Sequence, residues 1–322
     1  MALTLAQIKP LSQDKLVQMV IDEFRKSPLL GILPFDNTVK PQGGTTLAYV
    51  YNRITTQPTA AGRALNSEYT AQETKTTAYT VNLKPFGGSF QIDRVLAADE
   101  NGQVVDNITF QMQQKVKATE AVFNDFFING DSSGADYSFD GIDKAIKDSS
   151  TDIDVNIDLS TAAKVKTNWQ EFLYNLRMFK GKLMKEPDAY LVSNEMYSVF
   201  QTIADYAHGF STETKDEFGR EVFKYGESRI IKMGDKAGSS NPIIATDGSG
   251  KTDIYAVCLG MDGVHGVSPT GAGVVNTYLP DMTKPGAVKT GEVEMVAAVA
   301  VKATRAAGVL RGIKILTPSA SS

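Results

Sequence analysis

The sequence predicts an α+β fold. Strand-like alternation and helical periodicity fall in separate blocks, in the order arm, long hairpin, long helix, mixed block and final strands, and no internal repeat is visible. The chain of 322 residues is 42% hydrophobic and 22% charged, which excludes a wholly disordered polypeptide and leaves ample material for a buried core.

Residues 1–45 read as an arm. Ser12 is placed to cap a short helix in which Leu16, Val17, Val20 and Phe24 recur at helical spacing, with Pro28 just past its end. Its apolar stripe is narrow, and a helix of this size is marginal alone. It must dock on its own body or on a neighbour. The next run, Ser27 to Phe35, is apolar but broken by Pro28, Gly31 and Pro34, and is expected as extended chain lying on a surface.

From Thr45 to Ile92 the pattern is β. Leu47, Tyr49 and Tyr51 alternate, then Thr77, Tyr79, Val81 and Leu83. Between them, Pro58 to Lys75 forms a weakly hydrophobic tip whose one large apolar pair is Leu65 and Tyr69. Arms of about 10–12 residues at roughly 3.3 Å each reach some 35–40 Å. A lone two-stranded ribbon is not stable in water, so something outside the hairpin must cover it. Gly87-Gly88, beside Pro85-Phe86, reads as a pivot at its base.

Residues 103–128 carry the clearest helical signal, with Val104, Val105, Ile108, Met112, Val116, Thr119, Phe123 and Phe126/Phe127 spaced by three and four, and Asn129-Gly130 as the stop. Residues 131–160 hold eight Asp and two Lys, a local charge of −6, and residues 161–186 hold six basic and two acidic residues, a local charge of +4. The second piece is helical, with Trp169, Phe172, Leu173, Leu176, Phe179 and Leu183 on one face. A strand at Ala189–Val192 leads into a helix capped by Asn194, and Tyr206 to Gly219 reads as a loop. Strands are expected at Ser228–Met233, Pro242–Thr246 and Asp253–Leu259, then an apolar strand pair at Val293–Val301 and Val309–Leu316.

Little in the sequence carries catalytic chemistry. Cys258 is the one cysteine and sits in an apolar strand-like run, where it behaves as a small hydrophobe. His208 and His265 read as loop residues. Asp152-x-Asp154-x-Asn156-x-Asp158 opens like a calcium loop, but Ile157 and Ala163 stand where Gly and Glu are needed, and the alternating apolar residues favour a half-exposed strand. Gly271-Ala272-Gly273 lacks the third glycine of a dinucleotide loop and reads as a turn. No catalytic residue, metal ligand or cofactor is assigned. The net charge of −4 argues against a general DNA coat. Neither a signal peptide nor a membrane span is read.

In its order of parts the chain resembles the major capsid protein of tailed bacteriophages, with the Hong Kong 97-type fold. Phe127-Ile128-Asn129-Gly130-Asp131 followed by Phe139-Asp140-Gly141-Ile142 looks like that family's helix end, Gly-Asp loop and Gly-Ile turn. Asp188-Ala189-Tyr190-Leu191-Val192-Ser193-Asn194 resembles its strand-to-helix step. The resemblance implies an N-terminal arm at 1–45, an E-loop hairpin at 46–92, a P domain at 93–159 with spine helix 103–128, an A domain at 160–279, and a return to the P domain with a C-terminal tail at 280–322. It further implies a structural protein, not an enzyme, that self-assembles into pentamers and hexamers around double-stranded DNA, in a virion head built in the host cytoplasm. A portal protein and a separate scaffolding protein would be its partners, with no membrane. The hairpin begins near residue 46, which leaves no room for the scaffolding segment of some members. Lys75 and Lys84 lie in the hairpin region, but no Asn follows Asn276, so no isopeptide cross-link is expected. Leu65, Glu68 and Tyr69 are the expected inter-subunit contacts, and Gly87 and Gly88 the expected hinge. Two alternatives stand beside this reading: an encapsulin-like nanocompartment shell, and an oligomeric α/β hydrolytic enzyme with a cryptic carboxylate site.

Overall fold

The computed structural model describes residues 28–39, 44–56, 58–95, 107–207, 214–215, 221–270 and 275–316. The arm helix expected around Leu16–Phe24, His208 and the Gly271–Gly273 turn lie outside these residues. Two large sheets organise the rest, beside a two-stranded hairpin and a short ribbon of β7 (Thr214–Lys215) and β8 (Glu221–Val222).

The first sheet is built around β14 (Val288–Val301), a strand of 14 residues. One edge of β14 pairs along its length with β4 (Lys84–Asp93), from Val288↔Asp93 to Ala297↔Lys84. Further pairings join it to β13 (Asn276–Tyr278) and β12 (Val264–Ser268), and β1 (Phe35–Asn37) adds in parallel to β12. The long helix α2 (Asn107–Asn129) packs on this sheet. Its Phe123 ring meets Phe35 and Phe86, and Phe123 and Phe127 are fully buried. The described 23 residues span about 35 Å at 1.5 Å per residue.

The end of α2 is fixed by close backbone approach. Gly130 N–H donates to Phe126 O, and Gly141 N–H donates to Gly130 O. A Cβ on Gly130 would lie 2.2 Å from Phe139 O, and one on Gly141 2.6 Å from Ile128 O. Only glycine fits at either position. Lys144, on α3 (Ile142–Ile146), ties the intervening loop by donating to Asp131 at 2.6 Å, Asp140 at 2.8 Å and Ser133 Oγ at 2.6 Å.

The second sheet runs β5 (Asp152–Asp154), β15 (Ala307–Lys314), β11 (Lys251–Val257), β6 (Ala189–Val192), β10 (Ser228–Lys232) and β9 (Lys224–Tyr225). It packs with α4 (Ala162–Lys180) and α5 (Asn194–Ala207), whose Phe172 and Phe200 rings meet edge to face at 5.3 Å. All four residues of β6 are buried, which explains its unbroken apolar sequence.

Several elements differ from expectation. The tail strands do not pair with each other: β14 joins the first sheet and β15 the second, redirected by a short turn at Thr304–Ala306. Both are buried on two faces near that turn, so each needs its own sheet neighbours. Residues 280–316 therefore feed both sheets. Pro242–Thr246 is not a strand. It makes a single bridge to Asp235, while Ile243 O accepts instead from the Asn129 side chain. The run Ser27–Phe35 is not extended chain throughout its described part. Its α1 (Leu29–Ile32) buries Leu29, and Leu33 is buried just beyond. Ser193, not Asn194, caps α5, accepting from Met196 N–H. His265 lies in β12, not in a loop.

Candidate inter-subunit surface

The hairpin is formed by β2 (Ala48–Thr56) and β3 (Lys75–Asn82), paired antiparallel with Tyr51 opposite Tyr79. Alternation gives the ribbon two chemically different faces. Tyr49, Tyr51, Arg53, Tyr79 and Val81 line one. Tyr51 stacks on Tyr79 at 5.8 Å, and the Arg53 guanidinium lies 4.4 Å from the Tyr79 ring centroid. This face grips the chain's own body. Arg53 Nε donates to Lys302 O at 2.9 Å, Arg53 Nη2 to Val301 O at 2.7 Å, and Tyr51 O–H to Val301 O at 2.9 Å. Tyr49 O–H donates to Asp36 at 2.6 Å, a bond that holds the Asp36 carboxyl below its ordinary range despite burial. The root of the hairpin is thus latched by side chains onto the end of β14 and onto β1.

The other face carries Val50 and Ile54, opposite Thr80 and Thr76, with Asn52 opposite Ala78 between them. Val50 and Ile54 are about three-fifths exposed, at 59% and 62%. Beyond the strands, residues 58–74 extend as an exposed tip held by few internal contacts. The Gln72 side chain accepts from Thr59 N–H, and Arg63 donates to the Ala64 and Ser67 carbonyls while lying over the Tyr69 ring. Asn66, at φ 64°, supplies the left-handed turn residue.

Of the residues singled out from sequence, Leu65, Glu68 and Tyr69 all sit on this tip and are exposed, Leu65 at 92% and Tyr69 at 67%. Gly87 and Gly88 lie inside β4, paired with Glu294 and Val293, not in free chain at the hairpin base. A Cβ on Gly87 would meet Val293 O at 2.0 Å, whereas Gly88 has only the Lys115 side chain nearby, at 3.4 Å. Gly87 thus has a ladder-packing requirement of its own. Arg53, the central latch residue, was not marked by composition. The signal for it is position: Tyr49, Tyr51 and Arg53 fall at i, i+2 and i+4 on one strand face.

The remaining polar clusters are engaged structurally. Cys258 is fully buried, and burial pushes its thiol up to about 11. Three carboxylates, Asp143, Asp152 and Asp253, converge on Arg311 at 2.7, 2.7 and 3.1 Å, and Tyr255 O–H also donates to Asp143. Burial works against the Arg311 charge, but Asp152 and Asp143 outweigh it and hold the guanidinium charged above its ordinary range. Burial raises the Asp253 carboxyl against the pull of Arg311. Asp152 and Asp158, the ends of the calcium-like pattern, pair with Arg311 and Lys164. Among the described residues no cluster of three or more His, Cys, Asp or Glu is arranged to hold a metal ion, and no helix is long and apolar enough to cross a membrane.

No family model matches the sequence, and no curated protein sequence is significantly similar to it. Solved structures match over nearly the full length. A chain of the holo-SrpI encapsulin complex from Synechococcus elongatus is 13% identical, with 100% of each chain covered and a TM-score of 0.67. A chain of Gordonia phage Cozz is 14% identical, covering 94% of this chain and 92% of that one, with a TM-score of 0.60. A chain of the capsid of Myoviridae phage XM1 is 11% identical, covering 93% and 96%, with a TM-score of 0.57. The protein has the Hong Kong 97-type capsid fold.

Proposed function

We propose that this chain is the shell subunit of a tailed-phage head: a structural, non-enzymatic protein that assembles with copies of itself into hexamers and pentamers enclosing double-stranded DNA. The observation that carries the reading is the hairpin. Its inner face is satisfied within the chain, but its outer face and its whole tip project with large apolar side chains uncovered. Such a ribbon gains stability by lying on the next copy, whose own hairpin lies on the one after it. This is a head-to-tail interface, which closes into rings when the rotation permits. Leu65, Glu68 and Tyr69 are the residues assigned to that contact, with Gly87-Gly88 as the segment about which β4 adjusts. A net charge of −4 suits a wall facing packaged DNA, because strong basic patches would pin the DNA by counterion release. A scaffolding protein and a portal would complete the head, and the protein would reside in the virion after assembly in the host cytoplasm.

Expression of the full chain, alone and with a candidate scaffold, followed by electron microscopy tests the reading. Closed shells with pentameric and hexameric capsomers support it, and a small soluble oligomer overturns it.

A nanocompartment shell is the second reading, favoured by the TM-score of 0.67 and complete mutual coverage with the Synechococcus elongatus encapsulin chain. The contents of native particles separate the two. Nuclease-protected DNA supports a phage head, and enclosed protein without DNA supports the compartment.

A further inference from the structure

Beneath the hairpin root lies a buried histidine that the latch does not use. His265, on β12, is fully buried, and neither ring nitrogen makes a hydrogen bond of good geometry, although the Gly260 and Gly263 carbonyls lie near the ring. A buried imidazole with both nitrogens unsatisfied is costly, and native interiors rarely keep one without a reason. The Tyr49 ring covers it edge-on, with centroids 5.7 Å apart. The charged groups facing it are Asp36 from β1 and Lys302 from just past β14. From the adjacent turn come the Gly260 and Gly263 carbonyls, already accepting from Gly263 N–H and Lys302 N–H. Asp262 on that turn is exposed. Tyr49 is the shared element: it covers His265, bonds Asp36 and carries Lys302 over its ring at 5.4 Å.

We propose that His265 is a proton-operated release for the hairpin, opening the Tyr49–Asp36 contact when the imidazole becomes charged. A charged ring here finds as acceptors the Gly260 and Gly263 carbonyls, each already bonded to a backbone N–H, and burial outweighs what they offer. Lys302 repels it, and Asp36, the one anion facing it, is occupied by Tyr49 O–H. The imidazolium is satisfied when Asp36 turns to it or water enters, and either event frees Tyr49 and with it the first residues of β2. Burial, then the nearby Lys302 charge, hold the ring below its ordinary value of 6.5, outweighing Asp36 and the Gly260 and Gly263 carbonyls. In the open root the imidazole regains that ordinary value, so the open state binds the proton more readily. The closed root is fully favoured above pH 6.5. It loses up to tenfold in its closing equilibrium per pH unit below that, until the buried ring itself titrates. Asp36 acts in a separate window. Its carboxyl is depressed from 3.8, so its contribution weakens only below that pH.

The test is amide hydrogen exchange by mass spectrometry on the full chain between pH 7.5 and 4.5, corrected for intrinsic rates, reading residues 48–56 and 75–82. Wild type is expected to lose protection progressively below pH 6.5, while peptides from α2 stay unchanged. His265→Gln is expected to show flat protection over the same range. Exchange at the imidazole C2 position gives the midpoint of His265 in wild type directly, independently of whether the variant folds. A His265 midpoint below 6.5 that coincides with hairpin deprotection supports the device. A midpoint at or above 6.5, pH-independent protection in wild type, or the same pH dependence in His265→Gln overturns it.

Discussion

Replacing Arg53 by Met removes the hairpin latch while keeping most of the side chain's apolar stem. Arg53 makes two charge-assisted bonds, to Lys302 O and Val301 O, at 2.9 and 2.7 Å. Such bonds contribute about 1.5–3 kcal/mol each in protected sites. Here the side chain is only half-buried and the freed carbonyls can take up water, so about 1 kcal/mol each is the appropriate scale. The guanidinium stacked 4.4 Å from the Tyr79 centroid adds about 0.5–1 kcal/mol at such exposure. The sum is about 2.5–3 kcal/mol, or about a 70- to 150-fold rise in the open population of the root. Hydrogen exchange over residues 48–56 and 75–82 reads that population directly. Arg53→Lys should recover only part of the protection, because an ammonium cannot offer two donors in fixed fork geometry. Exchange rates unchanged within twofold in Arg53→Met would refute the latch.

Other perturbations separate contact from packing. Leu65→Asp with Tyr69→Asp should leave the unfolding free energy of the unassembled chain within about 0.5 kcal/mol of wild type while cutting particle yield about tenfold or more, because both side chains are exposed within the subunit; unchanged yield on density gradients would remove the tip from the interface. Gly87→Ala should destabilise by about 1–3 kcal/mol, since its Cβ would sit 2.0 Å from Val293 O, whereas Gly88→Ala should fall within about 0.5 kcal/mol in denaturant titration; equal effects would contradict the β4–β14 register. The loop at residues 131–140 should lose exchange protection as pH falls from 3.8 towards about 2: the bond from Lys144 holds Asp131 near pH 2, so its contribution is present above the ordinary carboxylate value and lost on protonation. Lys144→Met should abolish that acid step, and an identical step in the variant would assign it elsewhere.

The periodic parts of the molecule were legible from residues alone. α2, α4, the β6-to-α5 step and both hairpin strands have clean spacing because each faces a single uniform environment. The hairpin tip was legible for a different reason: too few apolar residues for its length. The polar loop after α2 was anticipated through its glycines, and the backbone approach at Gly130 and Gly141 shows why they stand there. What stayed hidden depends on distant partners. β12 was missed at Val264-His265-Gly266 because glycine weakens a strand signal, yet Gly266 leaves the space taken by the Phe35 ring, 2.4 Å from where its Cβ would lie. Arg53 looks like any surface cation until its carbonyl partners, about 250 residues along the chain, are in place. The separation of β14 from β15 could not be read because two apolar strands joined by a short polar link look the same whether they form a hairpin or divide between sheets. Asn194 was mistaken for the cap of α5 because Ser193 beside it has the same capping chemistry.

On the proposed function, the outer hairpin face and tip are completed by another copy of the same chain. Cryo-electron microscopy of particles formed by the recombinant chain tests it most directly. The account predicts a closed shell in which Val50, Ile54, Leu65 and Tyr69 of each subunit are buried against its neighbour. A shell in which those side chains remain in solvent, or a stable monomer at assembly concentrations, would contradict it.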